Sequence, residues 1–348
     1  MRIFPQFQVR DKTMKPQQIF GVTLIVFAWV LSSPAFCVDV KIEKVEFEGW
    51  KNCRRMSNGT IDLIAVADIG PRIISFGFTG DENEFHVWKE TLGKTGGLEW
   101  HPYGGHRLWA APEAKPRTYY PDNVPVTVTE KDQALILTAP VERNPEFEGS
   151  SGIQKEMMVE FVGKDAVRIT HRITNRNEWT IELAVWAPTF MKPGGRLIVP
   201  NPPYGPHAEN LLPVRTIALW KYSEMGDPQF HWGNRYIILE QDSTRTKPNK
   251  FGVANVEGWA AYERGDHAFV KYHSHDPEAA YPDMGCSLES FTDNETLEFE
   301  TLGPLWRILP GETVEHVEHW RLLKGISATL DEESIDRELK EKVGRIKN

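Results

Sequence analysis

Apolar residues recur at every second position through one segment after another of this chain, with Gly, Pro, Asn and Asp clusters between the segments. Alternation of that kind sets successive side chains on opposite faces of a strand, so it predicts sheets and leaves little room for helices. "TIDLIAVADIG" (60–70) and "RIISFGF" (72–78) read as strands broken by Gly-Pro. "VPVTVTEKDQALILTAPV" (124–141) reads as a hairpin turning near Lys131 and Asp132. The stretch 153–191 reads as three strands with turns at Gly163-Lys164 and at 175–177. "YIILEQD", "GWAAYERGDHAFVKYHSH", "CSLESFTDNETLEFETLG" and "VEHVEHWRLL" continue the pattern. In the last of these His316 and Glu318 share one face and Glu315 and His319 the other, which is expected of a solvated or edge strand. Only "DEESIDRELKEKVGRI" reads as a helix, with Ile335, Leu339 and Val343 at four-residue spacing. Many antiparallel strands without βαβ alternation predict an all-β sandwich of large sheets.

The ends bound the domain. "MRIFPQFQVRDKTMK" carries four basic residues and one acid, and the apolar run 19–31 that follows is too short for the roughly 20 residues that span a bilayer. With the small residues of "SSPAFC" behind it, this reads as a secretory signal over 1–37. Met14 offers an alternative start, and cleavage after Cys37 places Ala35 at the −3 position. The expected organisation is a signal (1–37), a β domain (38–325) and a helical tail (326–348) of an exported protein, periplasmic or extracellular. Contact with a membrane is expected only through a retained or lipidated N-terminal segment. The formal charge of −9, without any Lys/Arg run, argues against nucleic acid and anionic lipid surfaces. Cys53 and Cys286 remain in the mature chain, and export permits a disulfide as readily as two buried thiols. No G-x-S-x-G, P-loop or dinucleotide fingerprint is present, so no cofactor is expected.

The chemistry concentrates in "YGGHRLWAAPE" (103–113), where Gly104-Gly105 is followed by His106, Arg107, Trp109 and Glu113. Paired glycines allow a left-handed backbone and close approach. The following "PEAKPRTYYPDN" adds Arg117, Tyr119, Tyr120, Asp122 and Asn123. Carboxylates, an arginine, amides and aromatic plates suit a polyhydroxylated ligand, and the chain holds twelve tryptophans. The competing reading is a tryptophan corner with its polar groups bonded internally. "KYHSHD" sets His273 and His275 two apart, which holds a metal only if a third ligand arrives from elsewhere; none is expected. Lys247 and Lys250 sit in a turn, and a lysine there can meet a sugar acid.

"DLIAVADIGPRIISFGFTGDENEF", "YGGHRLWAAPE" and "LEFETLGPLWRILPGETVEHVEHWRL" together resemble the galactose mutarotase-like superfamily, which includes aldose 1-epimerases and hexose-6-phosphate epimerases. The resemblance runs from about Val40 to Leu322 and implies a β-supersandwich with a sugar pocket in its concave face. It implies Glu300 as general base, and His106 as acid or orienting group. Arg107, Trp109, Glu113, Tyr119, Asp122, Asn123, His207 and Lys250 are the candidate sugar contacts. The match departs at "VWAPTFM", where epimerases carry a histidine and this chain has Trp186, Ala187 and Pro188. Three functions follow as expectations: an exported aldose 1-epimerase-type isomerase, a carbohydrate-binding protein without catalysis, and a lyase or hydrolase of acidic glycans in which Arg107 or Lys250 meets a uronate.

Overall fold

The computed structural model describes residues 39–344. The expected signal segment and the last four residues of the tail lie outside them. The described strands form a twelve-stranded and a ten-stranded sheet, antiparallel in every pairing. In the first, Arg72–Phe78, His106–Arg107, Ile181–Met191, Leu297–Leu302, Leu288–Thr292 and Asn249–Val253 lie side by side in that order. The alternating face that these strands turn toward the second sheet is apolar. It meets the second sheet in a core where Phe76 and Phe85 lie 5.5 and 5.7 Å from Trp320, and Phe269 lies 6.0 Å from Phe299. Burying each such aromatic contributes roughly 1.5–3 kcal/mol.

Details follow the local chemistry. The hairpin joins Thr127–Lys131 to Ala134–Thr138 through Asp132 and Gln133, both at positive φ (49° and 65°). Two left-handed residues match the right-handed twist of the flanking strands, which puts the turn one residue beyond the expected place. The tail spans Glu332–Val343, capped where the Asp331 carboxylate accepts the Ser334 amide at 3.0 Å. Its turns widen over Asp336–Lys340. That widening keeps Ile335, Leu339 and Val343, spaced at four, on one line facing Ile198, Tyr236, Trp259 and Ala261.

One expectation is overturned. Thr313–Lys324 is neither solvated nor an edge: it lies between His267–His273 and Ala166–Asn175 in the ten-stranded sheet. Its His316 and Glu318 are buried because their face looks into the sandwich.

Candidate functional site

The glycine pair in "YGGHRLWAAPE" serves packing. Tyr103, Gly104 and Gly105 are all left-handed (φ 54°, 106° and 70°). A Cβ on Gly104 would stand 2.2 Å from the His86 carbonyl oxygen, and one on Gly105 2.2 Å from that of Ile73. The backbone passes tightly between two neighbours and then enters the sheet, where alternation divides the next six residues. His106, Leu108 and Ala110 turn inward; Arg107, Trp109 and Ala111 turn outward. Across the sheet His106 pairs with Thr189 and Thr189 with Phe299, all on the inner face. The neighbouring positions Pro188 and Glu300 pair on the outer face.

This corrects the expected acid–base pair. His106 and Glu300 occupy opposite faces of one sheet and cannot both reach one sugar. His106 is fully buried and bonded through Nδ1 to Thr189 Oγ1 (2.7 Å) and through Nε2 to His171 Nε2 (2.6 Å). His171 Nδ1 faces the His316 carbonyl at 3.0 Å and must donate, because a carbonyl only accepts. His171 Nε2 is therefore the acceptor, His106 Nε2–H the donor, and the Thr189 hydroxyl donates to His106 Nδ1. Burial lowers the pKa of His106 and His171, brings His273 down to about 4 and His316 down to about 3, so the layer is neutral. At its centre Glu318 accepts from Lys271 (2.9 Å), Thr301 (2.5 Å) and Trp320 Nε1 (2.7 Å). Burial alone would raise Glu318; Lys271 foremost, and the surrounding rings, hold it well below the usual carboxylate range.

Ligating atoms of His106, His171 and Glu318 lie within 4.8 Å of one another. Each of these side chains is already partnered, and the Lys271 ammonium supplies the positive charge a metal would bring. His273 and His275, two apart in sequence, do not share a strand face: the strand ends at His273, which meets Asn255, while His275 bonds Ser287. Cys53 and Cys286 are free and buried.

The outer face carries the polar cluster. Glu300 is fully buried; its Oε2 accepts from Trp186 Nε1 (2.7 Å) and from Lys250 Nζ (3.0 Å). Lys250 also pairs with Glu289 (2.9 Å) and lies between the rings of Trp186 (4.9 Å) and Trp220 (4.7 Å). Burial would lower Lys250, but Glu300 and Glu289 outweigh it and keep the ammonium charged. Burial raises Glu289 to about 8. Beyond them Arg107 stacks on Trp109 (4.2 Å) and Trp100 (5.1 Å), and shares the Asp122 carboxylate with Arg72. Burial brings Arg107 down to about 9, against the opposing pull of Asp122. Tyr119 packs on Trp100 and Trp109 and donates its hydroxyl to Glu113. Trp109 meets Trp186 at 4.9 Å, closing a continuous wall from Glu113 to Lys250.

Of the expected contacts, then, Arg107, Trp109, Glu113, Tyr119, Asp122, Lys250 and Glu300 form one connected set. Asn123 sits behind it, bonding the Gly96 and Gly97 carbonyls. His207 is exposed in the turn His207–Glu209 and makes no hydrogen bond or ion pair with the set. Sequence reasoning missed Trp186, Trp220, Glu289 and Glu298. The signal for Glu298 was present: in "LEFETL" it alternates onto the face of Glu300. It pairs across the sheet with Phe190 on one side and Phe291 on the other and is partly exposed; its backbone carbonyl accepts from Ser290 Oγ (2.7 Å), while its carboxyl has no hydrogen-bond or ion-pair partner among the described residues.

No protein-family profile and no curated protein matches the sequence. Solved structures do. The Slr1438 protein of Synechocystis sp. PCC 6803 is similar over 81% of this chain and 99% of its own, at 12% identity and a TM-score of 0.53. A galactose mutarotase-like protein from Lactobacillus casei is similar over 78% of this chain and 100% of its own, at 12% identity and 0.51. A Klebsiella pneumoniae protein provisionally named an aldose 1-epimerase aligns over 87% and 86%, at 11% identity and 0.52. At such identities the likeness is one of fold: the chain has the galactose mutarotase-like sandwich.

Proposed function

We propose that this is an exported carbohydrate-recognising protein whose ligand seats on the outer face of the twelve-stranded sheet. The observation that carries the reading is the Lys250 ammonium held between two indole rings and the carboxyl groups of Glu300 and Glu289, beside the partly exposed Glu298, Tyr119 and Trp220. Such a floor offers donors and acceptors for paired hydroxyls, and the rings offer flat apolar surface for the C–H face of a sugar. A uronate is a weaker fit, because Arg107 and Lys250 are already paired with carboxylates.

Recognition is favoured over turnover by Glu300. A general base must come within hydrogen-bond reach of the proton it removes, and Glu300 is enclosed beneath Lys250 and Trp186. Calorimetric titration with D-glucose, D-galactose and short neutral oligosaccharides tests the reading. Saturable binding that weakens about tenfold in Trp220→Ala is expected, in line with the loss of one aromatic contact. Absence of binding across that panel by the intact protein would retire it.

A further inference from the structure

Independently of sugar recognition, we infer that two copies of this chain pair through the end strand Ile217–Leu219 and the loop that precedes it. The two described sheets have four end strands, and a strand with one neighbour leaves a row of backbone N–H and C=O groups open to another chain. Three of these ends carry side chains that discourage such pairing. Lys41–Phe47 holds Lys41, Glu43, Lys44 and Glu46; Thr127–Lys131 holds Glu130 and Lys131; Phe230–Trp232 holds His231, bonded to Glu240. The fourth end reads Ile-Ala-Leu and has no polar side chain. It pairs with Asn249–Val253 alone and leaves Ile217 and Leu219 exposed. Both stand opposite inward residues, Val253 and Phe251, so they belong to the apolar inner face of the sheet yet lie open to solvent.

The loop widens this surface. In "YGPHAENLLPVRT" (204–216), Tyr204 is 95% exposed, Leu211 75% and Leu212 81%, with Val214 open beside them. Arg215 fastens the end of the loop by donating to the Pro200 carbonyl (3.2 Å). Met284, also exposed, lies next to it, since a Cβ on Gly285 would stand 3.7 Å from Thr216 Oγ1. At roughly 150–200 Å² for a fully exposed large side chain, these seven apolar residues expose on the order of 800 Å². That exceeds the roughly 300–600 Å² of the largest patch on an ordinary monomer. It equals the share of about 800 Å² that one partner brings to a standard-size interface.

A second copy fits this face because the face complements itself. Antiparallel pairing about Ala218 sets Ile217 of each copy against Leu219 of the other, so apolar meets apolar across the two-fold axis. The formal charges of 204–219, Glu209 and Arg215, cancel, so the face brings no net charge against its mate although the chain stands at −9. Each copy offers this edge once, and the assembly closes as a dimer.

Sedimentation velocity and light scattering over about 0.1–50 μM test the pairing. The proteins compared are wild type, the double variant Leu211→Glu, Leu212→Glu, and Ile217→Lys, all changed at exposed positions. Wild type should dimerise with a Kd of about 1 μM or tighter. Each variant sets like charges face to face and should raise that Kd on the order of 100-fold or more. Urea unfolding of the variants, at concentrations where wild type is monomeric, should match wild type, so that a lost dimer is not a lost fold. Monomeric wild type throughout the range would overturn the pairing, as would a dimer that survives either variant. Flotation of monomeric wild type with phosphatidylcholine vesicles, lost in the double variant, would give the face to lipid and overturn it too.

Discussion

Along the strand Leu297–Leu302, Phe299 and Thr301 turn toward the partner sheet while Glu298 and Glu300 turn away from it. The two faces make opposite use of burial. Inside, four histidines are pushed down to neutrality around one ion pair, Lys271–Glu318. Outside, Glu289 and Glu298 are pushed up around another, Lys250–Glu300. The inner set is enclosed and satisfied, whereas the outer set leaves the partly exposed Glu298 carboxyl without a hydrogen-bond partner among the described residues. One network ties the two sheets together and the other is the proposed ligand floor; a difference of one residue in alternation separates them.

The sharpest way to break that contrast is Lys271→Met. Lys271 also donates to the Ala187 and Phe299 carbonyls, at 3.0 Å each, so it ties the ten-stranded sheet to the other. Removing it strands a buried carboxylate, and a loss of about 3–5 kcal/mol is expected in urea unfolding. The double variant Lys271→Met, Glu318→Leu should recover much of it. A single variant as stable as wild type would show that the inner pair does not hold the sheets.

Acid separates the faces next. An unfolded histidine titrates near 6.5, and His273 in the fold only near about 4. Between those values the unfolded chain binds a proton that the native state refuses, so stability falls as pH drops, by up to about 3 kcal/mol for this residue. Stability curves at pH 7, 5.5 and 4.5 should show the decline, and His273→Gln should make it shallower, His106, His171 and His316 supplying the rest.

Glu289 has the opposite sign. Its folded value, about 8, stands above the roughly 4.3 of an unfolded glutamate. The native state holds a proton the unfolded chain has lost, so this residue makes stability fall as pH rises from about 4.3 to 8. Glu289→Gln keeps an acceptor for Lys250 and should add about 1–2 kcal/mol at pH 9, of the order of one charged hydrogen bond. An unchanged alkaline stability would remove Glu289 from the comparison.

Much of this was legible in the sequence, because period two reads directly as sheets and assigns each residue a face relative to its neighbours. It placed the strand pairs, the tail helix and the opposition of His316 and Glu318 to Glu315 and His319. Alternation does not say which face lies inside, nor whether a strand is central. "VEHVEHW" looked solvated for that reason: its buried charges are compensated by Lys271 and Thr301, from segments far away in the chain. The same ambiguity paired His106 with Glu300. Proximity in "GHRLWAAPE" suggested one site, although neighbours in a strand point apart. Glu298 was missed because the family resemblance points to Glu300, two residues on along the same face of the strand.

The smallest expected change in stability is the most informative about the outer face. Tyr119→Phe removes one hydroxyl and keeps the ring on Trp100 and Trp109. Glu113 is exposed, so water replaces the lost donor and the cost should stay under about 1 kcal/mol. Freed from the phenol, however, the carboxylate samples other positions. Sugar affinity should then fall severalfold, because a carboxylate that samples several positions no longer holds a hydroxyl in place. Unfolding and calorimetric Kd measured on the same preparation separate the two effects. A stability loss as large as that of Lys271→Met would mean the aromatic roof holds the fold together, and the division of labour between the faces would fail.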